Sequence, residues 1–160
     1  MLHRFRMKDD QALLHEAQDR LKWRVANAHR QSKEIEAHYR ARLVRALEAS
    51  GVGPIGVANS NDSVDLFIAG HAVELKVCRA REKDGRKPEI YQALLHDPGN
   101  RHNLNGDLVL VLCIDYDDRL WPYVIPRKRV GSRRTVEITS HPTRYRGQWR
   151  PYLGAFDFFS

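Results

Sequence analysis

Apolar side chains recur at steps of three and four residues over residues 9–50, which is the period of one face of an α-helix. Asp9 or Asp10 can cap the start of this helix, and Gly51 follows as a residue suited to its end. The recurring apolar positions are Leu14, Leu21, Val25, Ala28, Ile35, Tyr39 and Ala46. The pattern predicts helix throughout and leaves open whether there is one long helix or two that meet near Ser32.

Beyond the glycine-rich loop GVGPIG the period of the pattern changes to two, which is typical of β-strands. Residues 63–69 and 71–78 are predicted to form a tight hairpin with Gly70 and His71 in its turn, so that residue 67 lies opposite residue 74. One face of this hairpin is then apolar. The other face collects Asp65, Phe67, Ala69, Ala72, Glu74, Lys76 and Cys78.

The second half of the chain predicts a helix and two further strands. Pro88 opens the helix PEIYQALLHD at the first-turn position that proline favours. The run DLVLVLCID predicts a strand buried on both faces, and LWPYVIP predicts another strand. This order of elements predicts an α/β fold with a central mixed β-sheet flanked by helices. We expect residues 1–31 to form an N-terminal helical extension and residues 32–160 to form the functional domain.

The charge of the chain points to a polyanionic partner. Its 160 residues carry 27 Lys and Arg against 20 Asp and Glu, a formal net charge of +7 at pH 7. The longest apolar runs are too short for a membrane helix, and the N-terminus has no apolar signal segment. We therefore expect a cytoplasmic protein in a reducing compartment, with no membrane partner, in which Cys78 and Cys113 are buried thiols.

The charged face of the hairpin carries the candidate chemistry. Two carboxylates a few ångströms apart repel each other, and a hard divalent cation relieves that repulsion by binding both. The backbone carbonyl of Leu75 can add a third oxygen. A nearby amine can then position a water molecule or offset negative charge on a phosphate. The alternative is that all three charges belong to an ordinary solvent-exposed face.

Asp65 in SVDLFIAG, together with Glu74 and Lys76 in HAVELKV, resembles the motif of the PD-(D/E)xK nuclease superfamily. The order of elements over residues 32–125 also agrees with the restriction-endonuclease-like core of that superfamily, and the chain resembles its small phage- or intron-associated and resolvase-like members. The resemblance implies that Asp65 and Glu74 bind Mg²⁺ or Mn²⁺ and that Lys76 lies near the nucleophilic water. It also implies products with a 5′-phosphate and a 3′-hydroxyl. Val64 stands where the name of the superfamily has proline.

Two further residues are candidates for the catalytic site. Glu36 begins EAHYRARL, which resembles the Glu-led helix of small nucleases in this superfamily, and would be a third carboxylate ligand of the metal. Gln92 lies in the predicted helix after the hairpin, where several branches of the superfamily place a glutamine near the metal or phosphate. For both residues the alternative is a solvent-exposed polar side chain on a helix.

The segment 119–150 is strongly basic and is interleaved with Tyr145, Trp149 and Tyr152, which can stack on bases or sugars. It predicts a nucleic-acid clamp. The candidate nucleic-acid-binding residues are Arg127, Lys128, Arg129, Arg133, Arg134, Arg144 and Arg146.

Together these features predict a magnesium-dependent endonuclease acting on duplex or branched DNA, from a phage, a mobile element or a defence system. A homodimer is expected if duplex DNA is cut, since one such site cuts one strand. One alternative is a Holliday-junction resolvase or an RNase of the same fold. The other is a non-catalytic nucleic-acid-binding module, which would tolerate the loss of Glu74 and Lys76.

Overall fold

The computed structural model describes residues 7–58, 64–83, 86–95 and 107–160. Helix α1 spans Met7–Ala49, so the predicted helix is confirmed and runs unbroken past Ser32. The chain divides after Tyr39 into two units, and the domain boundary expected after residue 31 stays a prediction.

In the first unit, the described side chains of α1 at positions 12 and 14–22 are all exposed to solvent. Leu14 and Leu21 are both 62% exposed. Ion pairs one turn apart join His15 to Asp19 and Glu16 to Arg20, the kind of pairing that adds a few tenths of a kcal/mol to an exposed helix. The predicted apolar stripe of this helix is therefore exposed, not buried, at Leu14 and Leu21.

The second unit contains the last turns of α1, eight strands and the short helix α2 (Arg127–Val130) among the described residues. The strands are β1 (Ile55–Val57), β2 (Leu66–Ile68), β3 (His71–Arg79), β4 (Arg81–Lys83), β5 (Arg86–Leu94), β6 (Leu108–Ile114), β7 (Leu120–Pro126) and β8 (Thr135–Ile138). Five of them form a sheet in the order β1-β2-β3-β6-β7, and β4-β5-β8 form a second sheet. Only the β3–β6 pair of the large sheet is parallel. The predicted fold class, a mixed sheet flanked by helices, is confirmed.

Successive residues along each strand point to opposite faces of the large sheet. Leu75 of β3 and Leu110 of β6 are buried on one face, and Leu43 and Leu47 in the last turns of α1 are buried as well. The second sheet packs on the other face. That core joins Cys78, Val109, Val111, Cys113, Tyr123 and Ile125 of the large sheet to Tyr91, Ala93, Leu95, Val136 and Ile138 in and beside the small one. Cys78 and Cys113 are free buried thiols, as expected.

The hairpin turn differs from the prediction by one residue. Ala69 and Gly70 occupy it, both with positive φ (49° and 82°), which is the backbone that two-residue hairpins require. The predicted turn at Gly70 and His71 is therefore wrong, and Phe67 lies opposite Ala72 rather than Glu74. Because the register slips by two residues, every side chain keeps its predicted face.

The helix predicted from Pro88 is wrong over the described residues, which form strand β5 and its continuation to Leu95. Tyr91, Ala93 and Leu95 are buried while Gln92 is exposed, so the true period is two. Strand β5 is fixed by antiparallel pairing with β8, from Tyr91 opposite Ile138 to Leu94 opposite Thr135. This long-range pairing outweighs the local preference of proline for a first helical turn. None of the helices within the described residues is long and apolar enough to cross a membrane.

Candidate active site

Strand β3 places Glu74 and Lys76 side by side on one face of the large sheet. Their neighbours Val73 and Leu75 point to the other face and are buried, which fixes the orientation of the strand. The Lys76 Nζ lies 3.2 Å from the Glu74 Oε1, and the two side chains are 31% and 14% exposed. This ion pair is therefore largely shielded from solvent yet reachable from it.

Asp65 immediately precedes strand β2 and lies beside the same part of β3. Its backbone N–H donates to the carbonyl oxygen of Val73 (3.1 Å), and its Oδ2 accepts a hydrogen bond from the backbone N–H of Leu75 (2.8 Å). Because β2 begins only at Leu66, the carboxylate satisfies an N–H on β3 that has no strand residue beside it. The structure thus holds Asp65 against β3 between Glu74 and Lys76. These three residues are called the trio below.

The oxygen atoms at this point suit a hard divalent cation. In an extended strand the N–H and C=O of one residue point to the same edge, so the Leu75 carbonyl lies on the edge that Asp65 occupies. Two carboxylates and a carbonyl are the donors that Mg²⁺ and Mn²⁺ prefer. Within the part of the chain that the structure describes, no three His, Cys, Asp or Glu residues are grouped closely enough to hold a metal. The oxygens at β3 that could hold such an ion therefore come from two side chains and one backbone carbonyl.

Of the two additional candidates, Gln92 is not brought to this trio. Gln92 lies on β5 and not on a helix, with an exposed side chain whose Nε2 donates to the Glu137 Oε1 (3.3 Å). It points away from the core that Tyr91 and Ala93 enter. Glu36 belongs to the first unit and is partly exposed there. The roles of Glu36 and Gln92 stay predictions.

The short basic helix α2 is linked to the start of strand β3 by backbone hydrogen bonds. The Arg127 N–H donates to the Asp107 carbonyl (3.1 Å), and the Asp107 N–H donates to the Ala72 carbonyl (2.9 Å). Ala72 is two residues before Glu74, or about 7 Å along the strand. The start of α2 is thus connected to the strand that carries Glu74 and Lys76, and the side chains of Arg127, Lys128 and Arg129 are exposed.

The remaining basic candidates form two further groups. Arg133 and Arg134 are exposed just after α2, where the Arg134 carbonyl accepts a hydrogen bond from Leu95 N–H (2.8 Å). The Arg133 guanidinium lies 5.6 Å from the ring centre of Trp149. Arg144 and Arg146 are exposed elsewhere, and Arg146 donates to nearby backbone carbonyls.

The aromatic residues expected to stack on nucleic acid pack largely into the protein instead. Tyr145 and Trp149 are buried members of the core between the two sheets, and Tyr152 packs against it. Their rings pack against residues of the small sheet. Because the sequence pattern predicts a helix at β5, it gives no sign of this sheet and cannot predict that the rings are buried. The basic segment therefore offers cations but not the predicted aromatic platforms at Tyr145 and Trp149.

Sequence reasoning missed a polar cluster at the opposite end of β6. Asp115 follows that strand, and its Oδ1 accepts hydrogen bonds from the N–H groups of Asp117 and Arg119 (both 2.9 Å). Its Oδ2 accepts from Trp121 Nε1 (2.8 Å) and contacts His141 Nε2 (3.1 Å). Burial raises the pKa of Asp115, but these hydrogen bonds outweigh burial and lower the pKa to about 2. Asp115 begins the segment DYDD, whose residue types favour a turn, and nothing in that segment indicates its distant partners Trp121 and His141.

The comparisons with known proteins bear on the fold. No family model and no curated protein match this chain. Among solved structures, the chain is similar to a bacterial homing endonuclease, I-Ssp6803I, with a TM-score of 0.54 and 18% sequence identity over 74% of this chain and 85% of that one. The two proteins share a fold.

Proposed function

We propose that this protein is a metal-dependent endonuclease that hydrolyses phosphodiester bonds in DNA. The observation that carries the proposal is the Asp65 carboxylate, held by the Leu75 N–H at the strand edge between Glu74 and Lys76. The shared fold with a homing endonuclease supports it. The exposed cations of α2, whose backbone is linked through Asp107 to β3, favour an anionic polymer as the substrate.

Asp65, Glu74 and the Leu75 carbonyl would hold Mg²⁺ or Mn²⁺. When bound, such an ion polarises a phosphoryl oxygen and lowers the pKa of water. Lys76, kept 3.2 Å from Glu74, orients the attacking water and offsets the negative charge that builds up on the phosphate. The hydrogen bond from Leu75 fixes the Asp65 carboxylate in advance, so that substrate binding need not order it.

The products would carry a 5′-phosphate and a 3′-hydroxyl. Because the trio acts on one strand at a time, a break in duplex DNA requires two chains, and we propose a homodimer for that reaction. Duplex and branched DNA remain the substrates to compare, with RNA as a further one.

The test is cleavage of supercoiled plasmid, branched DNA and single-stranded RNA with Mg²⁺, with Mn²⁺ and with EDTA. Glu74→Gln, Lys76→Met and Asp65→Asn preserve side-chain shape, and Asp65→Asn keeps an oxygen for the Leu75 N–H. We expect metal-dependent cutting by the wild type and a loss of at least about 100-fold in each variant. Glu137→Gln, at an exposed carboxylate on β8, is the matched control and should retain activity.

A folded wild type that cuts none of these substrates would contradict the proposal. Salt-sensitive DNA binding that Glu74→Gln and Lys76→Met leave unchanged would then favour a non-catalytic binding module. Cutting confined to four-way junctions or to RNA would instead indicate a resolvase or an RNase.

A further inference from the structure

Phe67 is an exposed aromatic residue on the same face of the large sheet as the trio. It lies on β2 opposite Ala72 of β3 and opposite Gly56 of β1. Since Ala72 and Glu74 alternate with buried Val73 on β3, Phe67 shares the face that carries Glu74 and Lys76. Its side chain is nevertheless 44% exposed.

The two neighbours of Phe67 across the sheet leave its ring uncovered. Gly56 has no side chain, and Ala72 contributes only a methyl group. A β-carbon built at Gly56 would lie 3.8 Å from the Phe67 Cβ, which is ordinary contact. Packing therefore does not require glycine at position 56. The lack of a side chain at Gly56 leaves one side of the Phe67 ring open. An exposed ring between two bare positions contributes little to the core.

The position of Phe67 relative to the trio indicates what could cover it. Asp65 is two residues away along the chain, about 7 Å for extended backbone. Glu74 is its diagonal neighbour across the β2–β3 pair, at about 7–8 Å between backbone positions. A phosphodiester held at Asp65 and Glu74 would bring an adjoining sugar and base over this ring.

Resting on the endonuclease activity proposed above, we infer that Phe67 is a substrate contact that packs against the base and sugar of a nucleotide next to the phosphate that is cut. Every nucleobase has a π-face, so this contact adds affinity without selecting a sequence. It is also uncharged. Its contribution therefore differs from that of the cations on α2, because it releases no counterions.

The experiment uses a synthetic DNA duplex that spans a cut site mapped with the wild type. Phe67→Ala, Phe67→Trp and the control Val57→Ala are compared for binding in EDTA over a range of salt concentrations, and for single-turnover cutting with Mg²⁺. Val57 is exposed at the same edge of the sheet but lies opposite buried Leu66, on the other face. All three variants should unfold at about the wild-type temperature.

We expect Phe67→Ala to bind roughly 5- to 100-fold more weakly, with an unchanged slope of log affinity against log salt. Phe67→Trp should restore binding, and Val57→Ala should resemble the wild type. Abasic sites placed one at a time around the cut provide a sharper readout. At one position, removing the base should weaken wild-type binding and leave Phe67→Ala binding unchanged.

Three results would overturn the inference. Wild-type cutting together with unchanged binding by Phe67→Ala would overturn it and leave the endonuclease proposal intact. Equal effects of every abasic site on wild type and Phe67→Ala would do the same. A change from dimer to monomer on Phe67→Ala in sedimentation would show that a second copy covers the ring. If the wild type cuts no DNA, the proposed function fails first, and this inference fails with it.

Discussion

Asp115 connects the end of β6 to two distant parts of the chain through its carboxylate. Its four hydrogen-bonding contacts satisfy both oxygens in a nearly buried position, where the residue is 7% exposed. Such an arrangement stabilises the ionised form, because each donor interacts more favourably with the carboxylate than with the neutral acid. The cluster also contains Glu89, whose carboxylate lies 4.0 Å from His141 Nε2. It ties β5 and the segment after β8 to the large sheet.

The lowered pKa of Asp115 predicts a pH-dependent contribution to stability. A folded pKa of about 2 against an ordinary value of 3.8 stabilises the folded protein by about 2 kcal/mol above pH 4. Because the folded pKa is the lower one, this stabilisation is complete above 3.8 and is lost as the pH falls from 3.8 towards 2. Urea unfolding followed by tryptophan fluorescence at several pH values measures it.

The variant Asp115→Asn isolates this contribution. It replaces one acceptor oxygen by a donor that faces other donors, and we expect it to destabilise the protein by about 2–4 kcal/mol at pH 7. Its difference from the wild type should shrink between pH 3.8 and 2. Asp117→Asn, at an exposed position, is the control. If the difference in unfolding free energy between the wild type and Asp115→Asn stays constant between pH 3.8 and 2, the lowered pKa does not belong to Asp115.

At the scale of elements, the turn between β2 and β3 determines where the trio lies. Ala69 adopts φ 49° and Gly70 adopts φ 82°. A left-handed backbone costs a residue with a β-carbon about 1 kcal/mol, whereas glycine and asparagine accept it more readily. The turn therefore has a well-suited residue at Gly70 and a poorly suited one at Ala69.

This difference predicts opposite effects for two substitutions. Ala69→Asn creates the Asn-Gly pair that such turns favour and should stabilise the protein by about 0.5–1 kcal/mol. Gly70→Ala should destabilise it by about 1–2 kcal/mol through the backbone alone, since a β-carbon there meets nothing within 4 Å. Chemical denaturation measures both. Equal effects of the two substitutions would argue against the turn at Ala69 and Gly70.

The hairpin also shows which parts of the fold the sequence could reveal. Alternation of apolar and polar residues specifies faces, so Asp65, Glu74 and Lys76 could be grouped although the predicted turn was displaced. Strand β5 could not be recognised in the same way. Its identity depends on β8, which begins forty residues after Leu95 (135 minus 95), and its local sequence begins like a helix at Pro88. The aromatic residues were misinterpreted for the same reason, because the surface they cover exists only once β5 is a strand.

At the scale of the whole molecule, the predicted nucleic-acid-binding residues separate into groups that are linked to opposite ends of β6. Helix α2 is linked through Asp107 to Ala72, beside Glu74. Arg144 and Arg146 follow His141, which contacts Asp115 beyond the far end of β6. Cations near the trio should contribute more to binding of the DNA that is cut.

Two charge-matched double variants test this expectation. Arg127→Gln with Arg129→Gln should weaken DNA binding and reduce the salt slope by about 0.9 for each phosphate that is no longer neutralised. Arg144→Gln with Arg146→Gln removes the same charge and should change the slope less. Fluorescence anisotropy over a range of salt concentrations gives both values. An equal reduction by the two pairs would indicate a binding surface that covers both ends.

The parallel pairing of β3 with β6 has a consequence for the order in which the protein acquires its properties during synthesis. The hairpin with Asp65, Glu74 and Lys76 leaves the ribosome first, and a parallel partner strand can arrive only after a long crossover. Helix α2 follows later still, after β7. An incomplete chain therefore carries the carboxylates of the site before it has strand β6 or the cations of α2. Under the proposed function, a chain made only as far as Lys83 should not cut DNA, because β3 still lacks the parallel partner strand that holds Glu74 and Lys76 in the sheet.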